Sequence, residues 1–399
     1  MVDAGLLDAL AQGLVTGSII AAGALGLSLI YSIAEVPNFA HGDMITIGAY
    51  VALAVNAPSK VPFLPDLDGV GLLVASGAAL VLAGGLGAVY EKAVFRRFRR
   101  RDADLITMVI VSLGLALVLR NVVLFLVGSK NVTYTAARVV NTNVDVSLTS
   151  AGVGVRTVQR QAGELVVTGE WGYALPVVVV GLVVAVAVGV GVYRWRSTDA
   201  DFRTVHVVSP RVLGVSAGVV VVAAVAAVAR GSHPDACAIY ATRVGLSVKY
   251  VTIVGVTLVT MFLVNLLLKQ TKTGKAMRAT ADNMALAEVR GVDIDRVQLV
   301  VWSLAGVLTA LAGVLTGWFA SNLNPNMGFS LLLPIFAAVI LGGITSPYGA
   351  VLGALLIGVS MDVGVYLLPA EYATYRTAIA FVILIVVLLF KPEGLWGDV

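Results

Sequence analysis

The sequence predicts an all-α polytopic membrane protein, and three observations carry that prediction. Of 399 residues, 59% are hydrophobic and only 13% are charged, whereas roughly a quarter of a soluble chain is charged. The apolar excess runs along almost the whole length, which excludes one anchor on a soluble domain. Aromatics make up only 7% while glycine reaches 42 residues, a mixture suited to helices packed through small side chains.

Apolar stretches fall at 6–33, 38–56, 69–90, 104–127, 173–193, 211–229, 249–268, 298–320, 329–345, 347–368 and 373–390, giving about eleven hydrophobic segments. The first stands in the mature protein on this reading, because no basic residue precedes Lys60 and a signal peptide needs a basic start. Two segments are predicted to be discontinuous. Pro37 and Gly42 interrupt one and Pro334 the other, and membranes tolerate such breaks only where protein or water surrounds the freed backbone groups. Three small-xxx-small pairs, Gly13/Gly17, Gly313/Gly317 and Gly349/Gly353, predict close helix crossings.

Basic residues assign sidedness. Those in 91–104, 194–211 and 269–296, with Lys391, put about 17 on one side against about nine on the other, which makes the first set cytoplasmic by the positive-inside rule. The amino terminus is then outside and the carboxyl terminus inside. The net charge of +4 reports this topology rather than a nucleic-acid partner. The polar run 128–172 is an external loop, and the alternation in Glu164-Leu165-Val166-Val167-Thr168 gives it β-character.

Catalytic chemistry is not indicated. Gly274-Lys275 is followed by Ala276 rather than Ser or Thr, and Lys269 stands where a P-loop has its first glycine, so no ATPase motif is present. One cysteine, Cys237, and three histidines leave no metal-ligand set. Ionisable groups at membrane depth are the candidate functional residues, since each costs on the order of 3 kcal/mol at a helix centre. Asn38, Phe39, His41, Gly42 and Asp43 form a substrate path or gate on one reading. On the other, His41 and Asp43 hydrogen-bond the broken backbone and hold its shape. Arg120, Asn121, Asn265 and Asp362 are further polar residues at this depth, either paired internally or on the solute path. Gly342 and Gly343 open the turn Leu341–Ala350, which cannot be an uninterrupted helix and is assigned to the cytoplasmic side and to the path or gate set.

The loop 271–296 reads as a short helical segment starting at Gly274, an Asp282 N-cap, a second helical run, and Gly291 as its stop; Asp293 or Asp295 caps the next membrane helix. Met284, Leu286, Ala287 and Val289 would be available to a partner; the alternative is a solvated basic turn.

Five segments, PNFAHGDMITIGAY (Pro37–Tyr50), TGKAMRATADNMALAEVRGVDIDRVQ (Thr273–Gln298), AGVLTALAGVLTG (Ala305–Gly317), LGGITSPYGAVLGALLIG (Leu341–Gly358) and FKPEGLWG (Phe390–Gly397), occur in an order that resembles the LivH-type permeases of branched-chain amino-acid ABC transporters. The resemblance implies a single transmembrane permease domain over 1–399, the membrane part of an ABC importer in a prokaryotic plasma membrane. It also implies a second homologous permease subunit, two ATP-binding subunits that use the ATP, and an external solute-binding protein. No cofactor would be bound by this chain. In that family the segment 269–297 would be the cytoplasmic coupling loop, with Gly274, Arg278, Ala279, Asp282, Ala285 and Gly291 in the coupling element.

Two departures stand out. LivH-type chains are shorter, and the surplus here is largely 173–247, expected to be an inserted helical hairpin. Arg120 stands where a neutral residue is expected, so its charge needs a partner in this protein or in the neighbouring permease. Urea, short amides or other amino acids remain alternative solutes. An ion-coupled secondary transporter using Asp43 or Asp362 is an alternative class.

Overall fold

A computed structural model describes residues 4–62, 64, 69–135, 142–149, 152–161, 164–198, 240–391, 394 and 395. Cys237, Arg203, Arg211 and the apolar stretch 211–229 lie outside them. The other ten stretches are all helical: α1 (Ala4–Ala34), α2 (Ala40–Asn56), α3 (Leu72–Arg99), α4 (Leu105–Val127), α5 (Leu175–Thr198), α6 (Val248–Gln270), and, beyond two short helices α7 (Lys272–Asp282) and α8 (Met284–Val289), α9 (Ile294–Ala320), α10 (Met327–Gly342), α11 (Pro347–Leu367) and α12 (Arg376–Phe390). Among the described residues, α1, α3, α4, α6, α9 and α11 are long and apolar enough to cross a membrane.

Contacts divide the chain into two compact units. The first is built mainly from 140–248. Its strands β1 (Thr142–Thr149), β2 (Gly152–Gln161), β3 (Glu164–Ala174) and β4 (Tyr240–Ser247) form an antiparallel sheet in the order β3-β2-β1-β4. The β-character expected of the polar run is therefore present. β3 passes directly into α5, and β4 returns to pair with β1.

The second unit comprises Ala9–Val139 and Lys249–Val399. Helix α1 is its centre: 94% of its apolar window is buried, against 22% in α4 and in α6. Glycine makes this enclosure possible. A Cβ on Gly358 would lie 2.2 Å from the Gly17 backbone, one on Gly313 2.1 Å from the Ile45 carbonyl, and one on Gly353 2.2 Å from the Ala338 carbonyl. Gly13 and Gly17 thus mark the crossing of α1 with α11, and Gly349 and Gly353 that of α10 with α11; of the third pair, Gly313 meets α2, whereas Gly317 meets Leu323 and Tyr134.

Both predicted discontinuities need correction. The first break lies before Gly42: α1 ends at Ala34, Glu35 takes a left-handed conformation at φ 54°, Pro37 prevents continuation, and α2 is regular from Ala40 onward. Gly42 serves a crossing instead, its missing Cβ leaving 2.7 Å to the Gly328 carbonyl. Pro334 sits inside an unbroken α10, which ends only at Gly343, φ 102°.

Candidate functional site

The break between α1 and α2 is exposed at Glu35, partly buried at Val36 and Pro37, and buried from Asn38 onward except for a partly exposed Phe39. Asn38 is fully buried, and its Oδ1 accepts from the Ala40 amide at 3.1 Å, a side-chain turn that leads the chain into α2. The Phe39 amide donates to Ser112 Oγ on α4 at 3.2 Å, and its ring lies 5.2 Å from Phe336 on α10. His41, also fully buried, donates from Nε2 to the Gly23 carbonyl of α1 at 2.9 Å, leaving Nδ1 without a partner among the described residues.

Asp43 resolves the anomaly of Arg120. Arg120 Nε donates to Asp43 Oδ1 at 3.0 Å and its Nη2 donates to Oδ2 at 3.2 Å. This fork holds a carboxylate that is 1% exposed. The guanidinium also lies 4.4 Å from the Phe329 ring centroid, so one cation ties α2, α4 and α10 together. Asp362 is similarly engaged: it is ion-paired to Arg376 and accepts from Thr16 Oγ1 at 2.7 Å. Asn265 accepts from the Tyr348 hydroxyl at 2.6 Å. Asn121, read as buried, is exposed and donates to the Leu117 carbonyl of its own helix.

Beside the break, an apolar cavity of about 210 Å³ is lined by Leu27, Tyr31, Pro37, Phe336, Ile340 and Ile344, among others. The structure therefore brings the Pro37 segment opposite the end of α10. Gly342 itself does not line this cavity. It packs against the next helix, where an added Cβ would lie 2.0 Å from the Gly349 carbonyl, and Gly343 supplies the turn.

The segment between α6 and α9 is built differently. Helix α7 begins at Lys272, earlier than the predicted Gly274, because Thr271 Oγ1 caps it by accepting from the Gly274 amide at 2.9 Å. Gly274 instead permits α7 to fold back on α6, since a Cβ there would lie 2.1 Å from the Leu267 carbonyl. Gly274, Met277 and Thr280 are buried, while Arg278, Ala279 and Asp282 are exposed. The cap of α8 is Asn283, whose Oδ1 accepts from the Leu286 amide at 2.8 Å, and not Asp282, which is the last residue of α7. Gly291 takes φ 83° as the stop, and Asp293 caps α9 through the Arg296 amide at 3.0 Å.

Ala287 is buried and Met284 half-buried, so the outward apolar edge of α8 narrows to Ala285, Leu286 and Val289; the last two are 56% and 85% exposed. One group was missed by the sequence reading. Arg96, Arg99 and Arg100, counted there only for sidedness, converge on Asp295 at the start of α9, and Arg99 also pairs with the buried Glu91 at 2.6 Å. Two acidic residues flanking such basic clusters were the available signal.

A bundle of apolar helices crossing at glycines, with a break between its first two helices and a capped two-helix segment outside it, defines a membrane-embedded permease domain. The chain belongs to the family described as "Branched-chain amino acid transport system / permease component", whose family model matches residues 9–152 and 117–388. It is 26% identical over 388 residues to the high-affinity branched-chain amino acid transport system permease protein LivH of Salmonella typhimurium, covering 97% of this chain and 94% of that protein. Similarity to the BraD permease protein of Pseudomonas aeruginosa is 25% over 399 residues, covering 98% and 95%. The probable LivH permease of Methanocaldococcus jannaschii is 37% identical over 136 residues, 33% of this chain and 43% of its own. No solved structure matches the chain.

Proposed function

We propose that the chain is the permease subunit of an ABC importer that moves branched-chain amino acids inward, driven by ATP hydrolysis in separate subunits. The observation that carries this reading is the near full-length similarity to LivH and BraD permeases, whose names specify that solute class. A second homologous permease completes the path, and an external binding protein delivers the solute. The ATP-binding subunits dock on α7 and α8, against the edge formed by Ala285, Leu286 and Val289. Because α7 folds on α6 and α8 runs into α9, displacement of this pair passes into two membrane helices and opens or closes the path. The Asn38–Asp43 segment and the adjacent apolar cavity act as the gate.

Orientation is proposed with the amino terminus outside and the carboxyl terminus in the cytoplasm of a prokaryotic cell. Of the helical hairpin expected over 173–247, α5 is helical, but Tyr240–Ser247 is the strand β4 paired with β1, so the insertion ends in the sheet rather than in a helix. Against an ion-coupled transporter, Asp43 and Asp362 are both neutralised by arginine.

Reconstituted vesicles decide between these classes. Leucine uptake that requires the ATP-binding subunit and ATP, and survives an ionophore, is expected. Uptake that persists without that subunit and collapses with an ionophore overturns the reading. Uptake of urea or short amides in preference to leucine would correct the solute alone.

A further inference from the structure

A second cavity, of about 360 Å³, lies where the ends of α1 and α6 meet α7 and the turn Thr345–Tyr348. Three charged side chains line it, Lys269 of α6 with Arg278 and Asp282 of α7, and none of the three is in an ion pair among the described residues. Lys269 Nζ instead lies 5.3 Å from the Tyr348 ring, and the Tyr348 hydroxyl ties α11 to α6 through Asn265. Two cations and one carboxylate facing a common space present the complement of a zwitterion.

The apolar surface leading away from this cavity narrows the choice of ligand. On α6, Lys269, Asn265, Phe262 and Leu258 follow one another at spacings of three or four and so share a face; on α11, Tyr348, Leu352 and Leu356 do the same. Phe262 and Leu258 are 42% and 55% exposed, Leu352 and Leu356 43% and 36%. Two apolar rows, bridged at Asn265–Tyr348, therefore run from the charged cavity along membrane-spanning helices. A soluble zwitterion or free phosphate would use the cavity and leave those rows idle.

We propose that this is a binding site for one phospholipid with an amine headgroup: its phosphate lies between Lys269 and Arg278, its ammonium at Asp282, and its acyl chains along the rows of α6 and α11. Basic residues at the cytoplasmic ends of helices attract lipid phosphate. A primary ammonium adds hydrogen bonds to a carboxylate, which a glycerol headgroup cannot do with a cation's charge. The lipid would join α7 to α6 and α11. Given the docking role proposed for α7, it would also make ATPase coupling depend on the bilayer, a consequence that rests on that role, whereas lipid binding does not.

Native mass spectrometry of the purified complex, exchanged into mixed phosphatidylethanolamine, phosphatidylglycerol and phosphatidylcholine, tests the site. Selective retention of phosphatidylethanolamine is expected. The Lys269→Ala/Arg278→Ala double variant should lose it roughly tenfold or more, and Asp282→Asn should keep a phospholipid but no longer prefer the amine. Leu352→Trp, which places a bulky ring in the α11 row, should lose it without touching any charge. Retention of the same lipid by the double variant and by Leu352→Trp overturns the site, as does retention of free leucine in place of lipid. Unchanged solute-stimulated ATPase activity in phosphatidylcholine alone overturns the coupling consequence.

Discussion

The Asn38–Asp43 segment and the α7–α8 segment are both interruptions in a helical membrane protein, and they are completed in opposite ways. The first is closed within the chain. Asn38, His41 and Asp43 are buried, and their partners come from the same turn, from α1 and from α4. The second satisfies its helix ends with its own Thr271, Asn283 and Asp293, then leaves Leu286 and Val289 uncovered. A segment whose polar groups, His41 Nδ1 apart, are engaged within the chain has its resting shape set by the chain itself. One that is locally capped yet apolar outward is fitted to be held by something else.

The largest effect that could break this contrast is Arg120→Ala. It leaves the Asp43 carboxylate, 1% exposed, without its fork of hydrogen bonds, a loss of about 3–5 kcal/mol when one partner of a buried pair is removed. Thermal unfolding of the purified complex should fall markedly, and the double variant Arg120→Gln/Asp43→Asn should recover much of it. If Arg120→Ala unfolds no earlier than the parent protein, the break is not held by this pair.

Long apolar runs made the helices legible, because a membrane helix satisfies its own backbone and needs few distant residues to declare itself. Partners were less legible. Asp43 and Arg120 are separated by 77 positions and Arg96 and Asp295 by 199, so the sequence marked Arg120 as needing a partner without identifying it. Gly42 and Pro334 misled for a different reason. Glycine breaks a helix in water but admits a close neighbour in a bundle, and proline's lost hydrogen bond is tolerated where surrounding groups compensate. Asp282 and Asn283 are adjacent residues of equal capping competence, and composition could not choose between them.

A smaller effect should separate folding from coupling. Leu286→Glu/Val289→Glu changes two exposed side chains that support no packing, so unfolding should shift by less than about 0.5 kcal/mol. At a partner interface the same change removes apolar anchors worth about 2 kcal/mol. ATP-binding subunits should co-purify poorly, and solute-stimulated ATPase activity should fall by more than roughly tenfold. Normal ATPase stimulation in this variant would place the docking edge elsewhere.

The finest test uses one substitution in both regions. Asn283→Ala removes the cap of α8, costing about 1 kcal/mol, but the freed Leu286 amide is at the surface, where water replaces the lost acceptor. Helix α8 spans only Met284–Val289 and is too short to persist without its cap, so the effect should stay local. Amide exchange should rise across Met284–Arg290 while the global unfolding transition holds. Asn38→Ala removes the same kind of bond in a place with no solvent, and the unpaired Ala40 amide then costs about 1–3 kcal/mol of global stability. Exchange measured by mass spectrometry on both variants distinguishes the outcomes, and equal global destabilisation by the two would erase the distinction between a region completed by the chain and one completed by a partner.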